Sequence, residues 1–190
     1  MEKRTVYCGA LTEDYVGKDA SVCGWVQTKR DMGGVVFIDL KDREGTLQVV
    51  FDEGLLSPEH FHIAESLKNQ YVISVGGKIR LRSEDTVNPK IKTGTVELAA
   101  ERLELLSESK PLPFQLEDAE NVREDLRLKY RFLDIRREQM QENLRFRHKV
   151  SRVTRSYLDN DGFTEVETPY LTKSTPEGAR DYLVPSRVHP

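Results

Sequence analysis

An aromatic ring, a carboxamide and several cations fall on what strand alternation makes a single outer surface. Over residues 35–41, Val36, Ile38 and Leu40 share a face and read as core, which leaves Phe37 on the other face between Val35 and Asp39. Over 45–52 the core set is Leu47, Val49 and Phe51, and Gln48 lies opposite. Lys29 and Arg30 close the run 21–30, and Lys78, Arg80 and Arg82 share one face around the end of the run 71–81. An outward ring can stack an unpaired base, worth roughly 1–3 kcal/mol per base. A carboxamide can offer a donor and an acceptor to one base edge, and cations follow phosphates. Together these groups describe single-strand recognition. The same alternation also permits Phe37 to cover a neighbouring loop, Gln48 to be merely solvated, and the three cations to form a hydrated strand face. A second cluster, Glu177-Gly178-Ala179-Arg180-Asp181, sits in a polar loop; a carboxylate there can hold a cation, or can simply be hydrated.

Other chemistries find little support. Cys8 and Cys23 lack CxxC spacing and read as free buried thiols of a cytosolic protein. The four histidines show no metal-ligand spacing, and His60 and His62 stand two apart on an expected helix, pointing in different directions. No metal site is expected. No run of eighteen apolar residues and no amino-terminal apolar core of a signal peptide is present, so a cytoplasmic chain without membrane contact is expected. The net charge of −3 argues against a generic nucleic-acid coat. Residues 1–106 hold 14 Lys and Arg against 17 Asp and Glu, so any polyanion contact there must be local; residues 119–155 hold 11 against 6 and could meet phosphates more diffusely.

The elements that must carry the surface are five extended runs, at 21–30, 35–41, 45–52, 71–81 and 95–106. Asp31-Met32-Gly33-Gly34 and Asp42-Arg43-Glu44-Gly45 read as hairpin loops with glycine at the positive-φ position. A helix is expected over 58–69, with Ser57 as N-cap and Pro58 as first residue. Three strands, a helix and two strands is the order of an all-β, five-stranded OB-fold barrel. Residues 107–113 read as a stiff linker, 121–135 as a helical hinge, and about 137–159 as a long amphipathic helix ended by Asn160-Asp161-Gly162. A short strand is expected over 163–167, stopped by Pro169.

CGWVQTKRDMGGVVFIDLKDREGTLQVVF, LKYRFLDIRR and TPEGARDYLVPSRVHP resemble class II aminoacyl-tRNA synthetases, the bacterial-type aspartyl enzymes in particular. The resemblance covers essentially the whole chain, and the last of these segments is its most specific part. It implies an anticodon-binding OB-fold domain over 1–106, a linker and hinge over 107–136, and the truncated start of the class II α/β catalytic domain over 137–190. It places the family's stacking phenylalanine on Phe37, its base-reading glutamine on Gln48 and a basic strand-end residue on Arg30, with Lys29, Arg80 and Arg82 as accompanying anticodon contacts. Many relatives carry arginine where this chain has Thr28. Met32 falls where tolerance of the asparagine tRNA is influenced. Gly162 and Pro169 fall in the motif that builds the homodimer interface, and Glu177 falls on the residue that binds the amino acid's ammonium group; Arg180 and Asp181 carry no assigned role.

The complete enzyme implied by the resemblance makes aspartyl-adenylate from aspartate and ATP with Mg2+, then aspartylates tRNA-Asp and in some members tRNA-Asn. The later motifs that carry ATP chemistry are not found in these residues, so an amino-terminal fragment with no catalytic residue, no bound cofactor and no activity of its own is expected. Competing expectations are a free-standing single-strand-binding OB module, an asparaginyl or lysyl relative, and a structural dimerisation unit built on the long helix.

Overall fold

The computed structural model describes residues 3–117, 121–173 and 182–188. Its two compact units are Met1–Tyr130 and Arg131–Pro190.

The first unit is built on five strands: β1 (Asp19–Asp31), β2 (Val35–Lys41), β3 (Thr46–Asp52), β4 (Val72–Leu81) and β5 (Val96–Ser107). They close into a barrel in the order β1-β2-β3-β5-β4, which is the OB-fold architecture expected from the element order. β1 is long enough to serve two neighbours. Its first half pairs with β4 and its second half with β2, both antiparallel. Closure comes from a short parallel pairing of Gln48, Val49 and Val50 in β3 with Glu97, Leu98 and Ala99 in β5. The inner row is that read from alternation: Val36, Ile38, Leu40, Leu47, Val49 and Phe51 are fully buried, and Val22, Val26, Ile73, Val75 and Leu98 join them. Each such side chain contributes about 1.5–3 kcal/mol by leaving water. The loops take the expected form, with Gly33 and Gly34 at φ of +71° and +77°, and Gly45 at +153°.

Helix α1 (Pro58–Ser66) starts as expected, with the Ser57 hydroxyl accepting from the His60 N–H. It stops short of residue 69. Leu67 and Tyr71 are needed in the core, and the chain turns through Gln70 at φ +69° so that Gln70 donates to Val26 and Val26 donates to Tyr71. Backbone pairing with β1 thus replaces a further turn of helix. At the amino terminus a 3-10 turn (Cys8–Ala10) is followed by buried Leu11, itself buries Cys8, and lies against the β2–β3 hairpin. Helix α2 (Glu124–Lys129) closes this unit.

The second unit contains α3 (Arg131–Asp134) and α4 (Glu138–Asn160). Asp134 is buried and held by the guanidinium groups of Arg131 and Arg137. α4 ends in a Schellman turn: the Gly162 N–H donates to Asp159, the Phe163 N–H donates to Leu158, and Gly162 takes φ +83°. The strand expected over 163–167 is not formed. These residues are exposed, no described segment offers them a ladder, and their side-chain bond is from Arg155 to Glu165 at 2.9 and 3.0 Å. Alternating sequence without a neighbouring strand leaves extended chain rather than sheet.

Candidate nucleic-acid interface

Cross-strand register sets the outer face of the barrel. Arg30 of β1 stands opposite Phe37 of β2, Thr28 opposite Asp39, Asp39 opposite Gln48 of β3, Gln48 beside Glu97 of β5, and Glu97 opposite Arg80 of β4. These side chains form one polar row across all five strands. The Thr28 hydroxyl donates to Asp39. Arg30 Nη2 lies 3.5 Å from the Asp39 carboxylate and donates to Gln48 Oε1 at 3.1 Å. Gln48 Nε2 donates to Glu97 Oε2 at 2.7 Å, and Arg80 Nε donates to Glu97 Oε1 at 2.8 Å.

Phe37 is half-buried on this face, with the Arg30 guanidinium 6.0 Å from its ring centroid. Gln48 departs from expectation. It is on the outer side, as alternation required, but it is only 3% exposed. The side chains of Arg30 and Glu97 bond to it from either side, and it does not face open water. Chemistry fixes its orientation: the guanidinium can only donate and the carboxylate can only accept, so the amide oxygen must point to Arg30 and the amide nitrogen to Glu97. One amide N–H and one oxygen lone pair remain after these two bonds. The arrangement is a preset donor–acceptor pair beside an aromatic ring.

The remaining expected residues are not all gathered there. The Lys29 ammonium donates to the Glu65 carbonyl near the end of α1, because its strand position pairs with the core-facing Ile38. Lys78 pairs with Asp19 at 3.5 Å. Arg82 donates its backbone N–H to Thr95, and its Nε is buried without a hydrogen-bond partner among the described residues. Met32 is 73% exposed at the tip of the β1–β2 hairpin. Gly162 caps α4, Pro169 lies in extended chain, and Glu177, Arg180 and Asp181 fall outside the described residues. Sequence reasoning missed Glu97. With Val96 and Leu98 in the core, alternation puts it outside, but only the β3–β5 pairing brings it to Gln48.

Residues 20–106 match the OB-fold nucleic acid binding domain family described for anticodon binding, and residues 123–190 match the family "tRNA synthetases class II (D, K and N)". The aspartate–tRNA(Asp/Asn) ligase of Aquifex aeolicus is 54% identical over 99% of this chain and 31% of its own length. The aspartate–tRNA ligase of Staphylococcus carnosus is 50% identical over 100% of this chain and 32% of its own. Over its whole length the chain is homologous to aspartate–tRNA ligases. It spans about a third of the length of these curated relatives. Among solved structures, asparaginyl-tRNA synthetase from Pyrococcus horikoshii, complexed with asparaginyl-adenylate, superposes with a TM-score of 0.78 at 26% identity, covering 94% of this chain and 39% of that one. In this aspartate–tRNA ligase homologue the polar row belongs to the OB-fold domain, and α3 and α4 belong to the opening of the class II segment.

Proposed function

We propose that the outer face of the barrel reads the unpaired anticodon bases of tRNA-Asp, in the service of an aspartate–tRNA ligase. The observation that carries this reading is the Arg30–Gln48–Glu97 clamp beside Phe37. Phe37 stacks a base, Gln48 offers its remaining N–H and lone pair to a base edge, and Arg30, Arg80 and Arg82 draw the strand's phosphates. Met32 bears on whether the asparagine tRNA is accepted as well, while Lys29, tied to the Glu65 carbonyl, stays off this surface.

The complete ligase is proposed to join aspartate to ATP as aspartyl-adenylate with release of pyrophosphate, then to pass the aspartyl group to tRNA, in the cytoplasm and as a homodimer. Glu177 is proposed to hold the aspartate ammonium group, and the segment with Gly162 and Pro169 to build the dimer. The proposed division is 1–106 for anticodon binding, 107–136 for linker and hinge, and 137–190 for the catalytic opening. ATP and Mg2+ belong to the complete enzyme. Among the described residues no three or more His, Cys, Asp or Glu side chains are grouped to hold a metal ion.

Fluorescence anisotropy with a labelled hairpin carrying the aspartate anticodon tests the reading. Saturable binding that weakens at least tenfold when the middle anticodon base is changed is the expected result. Equal affinity for every loop sequence would instead favour a general single-strand module.

A further inference from the structure

The outer row of β1 and β2 continues past the polar clamp. Its facing pairs run Arg30–Phe37, Thr28–Asp39 and, after the bulge at Gln27, Trp25–Lys41. Phe37 and Lys41 stand four positions apart on β2, about 13 Å at the rise of a strand. Beyond Lys41 the β2–β3 hairpin brings Arg43 to Tyr7, with its guanidinium carbon 4.5 Å from the ring centroid. The Arg4 guanidinium lies 4.0 Å from the same centroid. A cavity of about 360 Å³ opens beside them, and Cys23, Gly24, Trp25, Asp42 and Val72 complete its wall.

The nearby acids, Asp42 and Glu44, each have partners of their own. Asp42 turns inward: Oδ2 accepts the Cys8 N–H at 2.6 Å, and Oδ1 accepts the Glu44 and Gly45 N–H groups at 2.8 and 3.2 Å. Its oxygens accept from these three backbone groups, and the residue is 6% exposed. Glu44 lies 3.1 Å from Arg43 in an exposed pair of small net value, which an incoming anion can replace. Two guanidinium groups on one ring, with an indole in the same cavity, suit an anion joined to a flat π system.

We propose that Arg4, Tyr7, Arg43 and Trp25 form a second nucleotide station, taking a phosphate of the same single strand on the two guanidinium groups and its base against Trp25. This rests on the reading that Phe37 and Gln48 grip unpaired bases, and it lengthens their path by a few nucleotides. The extended path lies within the roughly 4–16 nucleotides that OB folds occupy. A free nucleotide shares the same chemistry, and the test separates the two.

Trp25 is the chain's single tryptophan, so its emission reports on this station alone. The 190-residue chain is titrated with an RNA heptamer of the anticodon loop, with a trimer of the anticodon only, and with uridine monophosphate. Binding is measured by calorimetry and Trp25 emission together. Expected are heptamer binding with quenching, and trimer binding without it. In the Arg4→Gln, Arg43→Gln double variant, heptamer affinity falls about tenfold, and the slope of log K against log salt becomes shallower by about 0.7 for one phosphate. Trimer affinity stays as it was, and a far-ultraviolet spectrum checks the variant's fold. Heptamer binding that is weakened by Phe37→Ala yet leaves Trp25 emission unmoved and is indifferent to the double variant overturns the station while the anticodon reading stands. Uridine monophosphate quenching Trp25 as tightly as the heptamer overturns it in favour of a free-nucleotide site. Failure of both heptamer and trimer to bind removes the anticodon reading, and the station with it.

Discussion

Replacing Phe37 with alanine removes a half-buried ring from outside the core, so its effect belongs to binding rather than folding. Loss of one stacked base costs roughly 1–3 kcal/mol; affinity for an anticodon-loop RNA is expected to fall about ten- to a hundredfold, with an unchanged circular dichroism spectrum as the control. Glu97 should behave differently. Its side chain is 9% exposed and accepts from both Gln48 and Arg80. Glu97→Ala leaves a nearly dry amide and a guanidinium short of an acceptor, at about 1–3 kcal/mol. A lower urea midpoint together with weaker discrimination at the middle base is expected, and discrimination intact after the substitution would detach Gln48's orientation from base choice. The contrast marks what single-sequence reading can reach. Alternation puts Phe37 and Gln48 on the outer side from their immediate neighbours alone. The depth of Gln48 depends on Glu97, 49 residues away and on a parallel neighbour, which no local pattern encodes. Cys8 makes a third residue-level case. Burial, reinforced by Asp42, pushes its thiol well above the ordinary value of 9.0. The folded thiol therefore keeps its proton at a pH where the unfolded one gives it up, so this group's contribution to stability declines as pH rises past about 9. Alkylation followed by peptide mass mapping should label the half-buried Cys23 well before Cys8.

At the level of elements, the strands and hairpins were legible because each is specified within a few residues: period-two apolar rows, and glycine where φ is positive. Ser57-Pro58 announced the start of α1 equally well. The end of α1 was not legible, because it is decided by Tyr71 and Gln70 pairing with β1. Residues 163–167 show the opposite failure, a strand-like pattern without a partner. Gly9 carries a constraint of the same long-range kind. A Cβ added there would stand 2.0 Å from the carbonyl oxygen of Glu44, and that oxygen belongs to backbone that cannot swing aside like a side chain. Gly9→Ala must push the 3-10 turn away from the β2–β3 hairpin and disturb the Cys8–Asp42 bond. Overpacking of this kind costs about 1–3 kcal/mol. A denaturant midpoint lowered with an unchanged slope is the expected outcome; an unchanged midpoint would show that the turn can shift at no cost. Because Arg43 lies on the same hairpin, the variant should also alter Trp25 emission before any RNA is added.

The two units differ in how they meet their need for a core. The contiguous cluster of buried apolar side chains ends at Leu103, inside Met1–Tyr130. In α4, Phe146, Val150, Val153 and Tyr157 recur at helical spacing and are 69, 49, 56 and 66% exposed. An apolar stripe of this sort on a 23-residue helix is unfavourable in water and calls for a cover. A second copy of the chain is the cover consistent with the proposed homodimer, and it makes opposite predictions for the two units. A chain ended after Tyr130 keeps the whole barrel core, so it should melt cooperatively and sediment as a monomer at every concentration. The 190-residue chain should gain mass with concentration by analytical ultracentrifugation, and Val153→Glu, which sets a charge in the middle of the stripe, should return it to the monomer without moving the barrel's melting temperature. A mass of one chain across the full range would leave α4 to a different partner, whereas association that persists after truncation at Tyr130 would move the contact onto the barrel itself.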